Sequence, residues 1–248
     1  MGRVLVGTSG FVYAHWKGVL YPPELPPRQW LQEYARTFST VELNNTFYRL
    51  PRADAAERWR VETPPGFLFA AKGSRYLTHM KRLLEPSQGL ARFFEPLSRL
   101  GHKLVVILWQ LPPRWRVNPD RLEQFLVALP PGVRHAFEFR EESWYSEEIC
   151  AILDAHGAAF CEHDLIARPP PRFTGGFRYL RFHGRTGKSQ GRYGRETLAA
   201  WSSQLTRWSR DGRDVYVYFN NDTGGQAVHD ARGLMAQIED ALHPPAAQ

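Results

Sequence analysis

Charged and polar residues recur two places apart at the ends of short apolar runs in this chain. Glu42 precedes Asn44 in TVELNN, Glu138 precedes Arg140 in FEFR, and Arg181 precedes His183 in LRFHG. Residues two apart on a β-strand share a face, so each pair sets one charged group below a second polar group at the strand end. Glutamate, arginine and histidine in such an array suit proton transfer and the neutralisation of an anionic substrate. Lys72 after FLFAA, Gln110 after VVILW and Asn220 after VYVYF place single polar residues at three further ends. Tyr216 and Tyr218 share the face of Asn220, and in AFCEHD either His163 or Glu162 with Asp164 takes the matching face. The deeper charges need partners, because an isolated buried charge costs several kcal/mol. A planar guanidinium from Arg181 forked onto Glu42 and Glu138 is the expected solution.

The elements that must position these residues follow from hydrophobic periodicity. Strands are expected at 3–8, 40–44, 67–72, 104–110, 134–140, 158–164, 177–183 and 214–220. Helices are expected at 28–38, 53–62, 88–100, 120–129, 143–156, 196–210 and 226–242. Strict strand–helix alternation implies a parallel sheet under helical cover. Eight strands in 248 residues favour a single (β/α)8 TIM-type barrel spanning 1–248 over an open doubly wound sheet. No Gly-x-Gly-x-x-Gly follows the first strand, no internal repeat is visible, and no linker divides the chain. In such a barrel the functional face lies at the C-terminal strand ends, where the polar pairs fall.

Composition narrows the setting. The chain is 43% hydrophobic and 23% charged, with a net charge of +7 that favours anionic partners. No apolar run reaches the roughly 18 residues of a membrane span. The start, MGRVLVGTSGF, runs almost directly into a strand and lacks the apolar region of a signal peptide, so a cytoplasmic protein is expected. Cys150 and Cys161 form no CxxC pair and read as reduced packing residues.

Several strand ends taken together resemble one family. GTSGF, VELNNTFYRLP, FLFAAKGSRYLTH, LWQLPP, FEFREESW, RFHG and VYVYFNND run in this order through most of the chain. They are similar to the YecE-like family, also called the domain of unknown function 72. The resemblance implies a TIM-type barrel and no established activity, so function rests on the residues themselves.

Those residues favour an enzyme, hydrolase-type first, that binds a phosphorylated or nucleic-acid-derived anionic ligand at the barrel mouth. His183, Glu42, Glu138 and Arg181 are the candidate catalytic set. Asn44, Asn45, Tyr48, Lys72, Gln110, Arg140, Trp144, Asn220 and Asn221 are the candidate binding set, with Arg75 nearby. An aromatic rim of Phe11, Tyr13, Trp16, Phe47, Tyr48, Tyr76, Trp144 and Tyr193 suits stacking or simple packing. The loops GRTGKSQGRYG and NDTGGQA follow the last two strands, where this fold often holds phosphate. GRTGKS is not a P-loop, since the glycine required five places before Gly187 is Phe182. No cofactor is evident and no metal-ligand set is assigned. A divalent metal on Glu42, Glu138, His163, Asp164 and His183 defines a competing hydrolase or isomerase reading. Two further readings are glycoside hydrolysis by the two glutamates and a non-enzymatic nucleic-acid-binding module.

Overall fold

The computed structural model describes residues 1–184, 186 and 190–242. The chain begins with β1 (Val4–Thr8), α1 (Trp30–Tyr34), β2 (Thr40–Leu43), α2 (Ala53–Glu62) and β3 (Leu68–Lys72). It continues through α3 (Pro86–Leu97), β4 (Leu104–Gln110), α4 (Pro119–Val127), β5 (Arg134–Glu138) and α5 (Glu147–Ala155). The last third holds β6 (Ala159–Phe160), β7 (Glu162–His163), β8 (Arg178–Phe182), α6 (Arg195–Arg210), β9 (Val215–Phe219) and α7 (Gln226–Leu242). Local signals set several boundaries. Pro119 opens α4, with the Asn118 side chain accepting from the Arg121 amide, and Ser146 caps α5 by accepting from the Ile149 amide.

The strands form two wholly parallel sheets, one ordered β1-β9-β8-β7 and the other β2-β3-β4-β5-β6. Their inward faces share one core of Leu5, Leu68, Ala70, Val106, Leu108, Ala136, Ala159, Cys161, Phe177, Tyr179, Tyr216 and Tyr218. The second sheet contributes three alanines to this core, Ala70, Ala136 and Ala159, and the first contributes three tyrosines. A second, larger apolar layer lies between the outer strand faces and the helices. The sheets approach each other at two places. Ser9, just past β1, bridges in parallel to Glu42 of β2, and β6 and β7 are separated only by Cys161. Gly7 permits the first approach, because a Cβ there would lie 2.2 Å from the Thr40 carbonyl oxygen.

Three expectations change. The strand expected at 158–164 is two short strands, since β6 pairs with β5 and β7 pairs with β8. The helix expected at 28–38 contracts to the five residues of α1, preceded by a 3-10 turn at Pro27–Gln29. Alternation also fails once: residues 164–177 hold no helix. Three consecutive prolines, 169–171, remove backbone donors there. Gly175 and Gly176 follow with positive φ. The outer face of β7 and β8 borders a cavity of about 370 Å³ lined by Ile166, Pro169, Phe182 and Trp201, among others. Among the described residues, no helix is long and apolar enough to cross a membrane.

Candidate functional site

Arg181 is completely buried between the sheets, and its guanidinium forks as the alternation predicts. Nη1 donates to Glu138 Oε2 at 2.6 Å and Nη2 to Glu42 Oε1 at 2.9 Å. Both glutamates are also fully buried. Glu42 accepts further bonds from Ser9 Oγ and from the Tyr179 hydroxyl, the latter at 2.7 Å. Glu138 Oε1 accepts from Arg140 Nε at 2.6 Å. Burial pushes the Glu138 carboxyl up, but Arg140 and Arg181 outweigh it and hold the carboxyl well below the usual glutamate range. Burial likewise opposes the charge on Arg181, and Glu42 and Glu138 more than restore it.

His183 lies above this network, 3% exposed. Its Nε2 is 3.1 Å from Arg181 Nη1 and 3.3 Å from Arg140 Nη2, while Nδ1 is 3.3 Å from Asp164 Oδ1. Guanidinium nitrogens only donate, so Nε2 is the acceptor and Nδ1 carries the proton toward Asp164. Burial lowers the His183 pKa, which agrees with this neutral tautomer. Asp164 also accepts from the His183 amide at 2.9 Å and from the Tyr193 hydroxyl. Its carboxyl lies below the ordinary range because these hydrogen bonds exceed the effect of burial.

Lys72 ends β3 and is 7% exposed. Its Nζ stands 4.3 Å from the centroid of the Phe47 ring and has no hydrogen-bond acceptor or ion-pair partner among the described residues. Burial, then the charge of Arg181, brings its pKa down to about 7 despite Glu138 and Glu42. Asn44 occupies the neighbouring strand end, one residue past the Leu43–Ala71 pair of β2 and β3. Its buried Oδ1 has no hydrogen-bond partner. Asn44, Asn45, Tyr13 and the exposed Tyr48 border a cavity of about 190 Å³. Arg140 is the most open of the central cations, with 26% of its side chain exposed.

The remaining expected residues divide. Gln110 is buried and donates to the Leu111 carbonyl at 2.7 Å. Asn220 is half-buried at the end of β9, its amide donating to Phe182 O at 2.7 Å. Trp144 leaves the binding set: it is fully buried, stacks on Phe139 at 4.8 Å, and donates to Trp115 O at 2.6 Å. Asn221 leaves it as well. Its amide donates to Gly191 O and to the buried Asp230 of α7, so it ties the loop after β8 to that helix. Arg75 is exposed. His163 faces inward but is engaged with Phe139 O at 2.7 Å, and Glu162 pairs with Arg178. Of the expected phosphate loop after β8, Arg185, Gly187, Lys188 and Ser189 lie outside the described residues. Ser9 and Tyr179 were not anticipated. Tyr179 shares its face with Arg181, so alternation alone could have found it.

No group of three or more histidine, cysteine, aspartate or glutamate side chains able to hold a metal occurs among the described residues. The two central carboxylates are already committed to arginines. This donor set suits an anion better than a cation.

Comparison with known proteins gives relatives of uncharacterised activity. The chain is 27% identical to the UPF0759 protein YunF of Bacillus subtilis, over 89% of this chain and 90% of that protein. It is 31% identical to UPF0759 protein YecE of Escherichia coli, over 47% of this chain and 43% of that protein. A crystal structure of a DUF72 family protein from Thermotoga maritima superposes with a TM-score of 0.86 at 31% identity, covering 95% of this chain and 99% of the other. A second, from Enterococcus faecalis, shares the fold at 20% identity with a TM-score of 0.81, covering 96% of each chain. A family model described as "Protein of unknown function DUF72" matches residues 5–248, and the chain therefore belongs to the DUF72 family.

Proposed function

We propose that the chain is a cytoplasmic enzyme that binds a small anionic substrate at the C-terminal mouth of a closed (β/α)8 barrel. The two sheets are its halves, and the Ser9–Glu42 bridge and the β6–Cys161–β7 segment are its seams. Both cysteines are free and buried, which suits a reducing compartment.

One observation carries the reading: a third cationic side chain, Lys72, stands beside two arginine–carboxylate pairs with no acceptor of its own among the described residues. Arg181 and Arg140 together engage Glu42 and Glu138, and Lys72 is left without an acceptor among the described residues. A surplus buried cation is costly unless an anion completes it. The open arm of Arg140, the Lys72 amine and the Asn44 side chain are the groups that meet this ligand. His183 is given a positioning role in place of proton transfer, since two arginines occupy its only lone pair. Glu138 is held ionised and is unsuited to act as the acid of a glycosidase.

Thermal unfolding in the presence of inorganic phosphate and sugar phosphates tests this. At about 100 times the dissociation constant, a ligand of the folded state adds about 2.7 kcal/mol and raises Tm by about 5–10 °C. The rise should vanish in Arg140→Ala and in Lys72→Ala. An unchanged Tm across all anions, or a rise that survives both substitutions, would remove the anion site.

A further inference from the structure

Two lysines among the described residues are buried, and the protein holds them in opposite ways. Lys103 is 4% exposed, and its ammonium donates to Arg60 O at 2.8 Å, Thr63 O at 2.7 Å and Thr63 Oγ1 at 3.0 Å. Three donors meet three acceptors, which is the full capacity of an ammonium. Such a lysine is structural. Lys72 is 7% exposed, and none of its donors finds an acceptor among the described residues. Its Nζ lies against the face of Phe47, in the field of Arg181 and Arg140. Burial and the neighbouring arginines disfavour the ammonium more than the Phe47 face and the two glutamates favour it, so the lone pair becomes available for attack on carbon near neutral pH. The depressed pKa of about 7 agrees with that geometry.

We propose that Lys72 is a nucleophile that binds its substrate covalently as an iminium, the substrate being a carbonyl compound that bears an anionic group. This rests on the anion-binding reading above and adds the functional group that the ligand must carry. The lone pair of neutral Nζ attacks the carbonyl carbon, and a C–N bond forms as the C–O π pair moves to oxygen. Proton transfer from nitrogen to that oxygen gives the neutral carbinolamine. One further proton from solvent releases the oxygen as water and leaves the iminium. Amine, carbonyl and one proton become iminium and water, with no change of oxidation state. Arg140, on the open side of the mouth, is placed to hold the anionic group. The unpartnered Asn44 Oδ1, one residue past β2 and beside the strand end that carries Lys72, is the acceptor assigned to the carbinolamine hydroxyl.

Reductive trapping tests the proposal. The full chain is incubated with pyruvate as the anionic carbonyl probe, sodium cyanoborohydride supplies hydride to the C=N bond, and peptide mapping locates the product. The chain has only five lysines, so the assignment is direct. The expected result is one adduct at Lys72, formed at neutral pH well before any at Lys17 or Lys81. It should be lost in Lys72→Met and in Lys72→Arg, the second of which keeps the charge. Labelling spread over surface lysines, or equal labelling of Lys72→Met, would overturn the proposal. Failure to label Lys72 while phosphate still raises Tm would sink the iminium and leave the anion site standing. Failure of both would remove both.

Discussion

Lys72 and Lys103 are both buried, yet only Lys103 has acceptors for its protons among the described residues, so the two contribute to stability differently. The ordinary lysine value of 10.5 falls to about 7 at Lys72. Between those values the unfolded chain carries a proton that the folded chain has lost. Stability therefore rises as pH increases from about 7 to about 10.5, and at pH 7 and below the burial penalty applies in full. Lys72→Met keeps an unbranched stem against Phe47 and removes the charge. It should stabilise the fold at pH 7 by on the order of 2–5 kcal/mol and abolish the rise toward high pH. Urea midpoints of both proteins at pH 7 and pH 10 measure this. A less stable Lys72→Met would show that the ammonium has a structural partner after all. A stabilising loss of a polar residue is the pattern expected where a site is kept for function at the expense of stability.

At the level of elements, the loop between β8 and α6 reaches the site through α7. Asp230 of α7 is fully buried and accepts from the Tyr193 amide at 3.1 Å and from Asn221 Nδ2 at 2.7 Å. Tyr193 then holds Asp164, which holds His183. Asp230→Ala leaves the Tyr193 amide without its acceptor and takes one from Asn221. It should cost about 2–4 kcal/mol in urea denaturation and shift the His183 ring resonances. An unmoved His183 signal would break the proposed chain of contacts from α7 to the mouth. The core elements were legible in the sequence because their periods are strong: α2, β4 and α7 occupy the expected 53–62, 104–110 and 226–242. The Arg181 fork was legible because strand alternation and the cost of buried charge point to the same partners. Alternation lapses beyond a strand end, so Asn221 could not be oriented from Asn220. Trp144 sits in a 3-10 turn, where no period indicates burial. Ser9 lies past the end of β1, beyond the reach of alternation, and only the assembled sheets bring it to Glu42 across 33 residues.

For the whole molecule, a net charge of +7 attracts anions of every size, and the position of the charges decides which kind fits. The central cations are largely enclosed: Arg181 is sealed, Lys72 is 7% exposed and Arg140 shows 26% of its side chain. A nucleic-acid backbone would instead meet exposed arginines such as Arg52, Arg58 and Arg36 on the outer helices and loops. The two modes respond differently to salt. A protein making 6–10 phosphate contacts loses about 10³–10⁵ in affinity between 50 and 200 mM salt. An anion held by enclosed charges is screened far less. Phosphate affinity should therefore change little across that range and be lost in Arg140→Ala, as calorimetric titration at both salt concentrations would show. Affinity for a short RNA that falls steeply with salt and is indifferent to Arg140→Ala would instead assign the positive charge to a surface nucleic-acid mode. Arg181 draws its carboxylates from β2 and β5 while standing on β8, so an anion beside Arg140 and Lys72 would sit where the sheets are already coupled. Its binding should then stabilise both sheets together, and amide exchange in β2 and β8 should slow in parallel when phosphate is added.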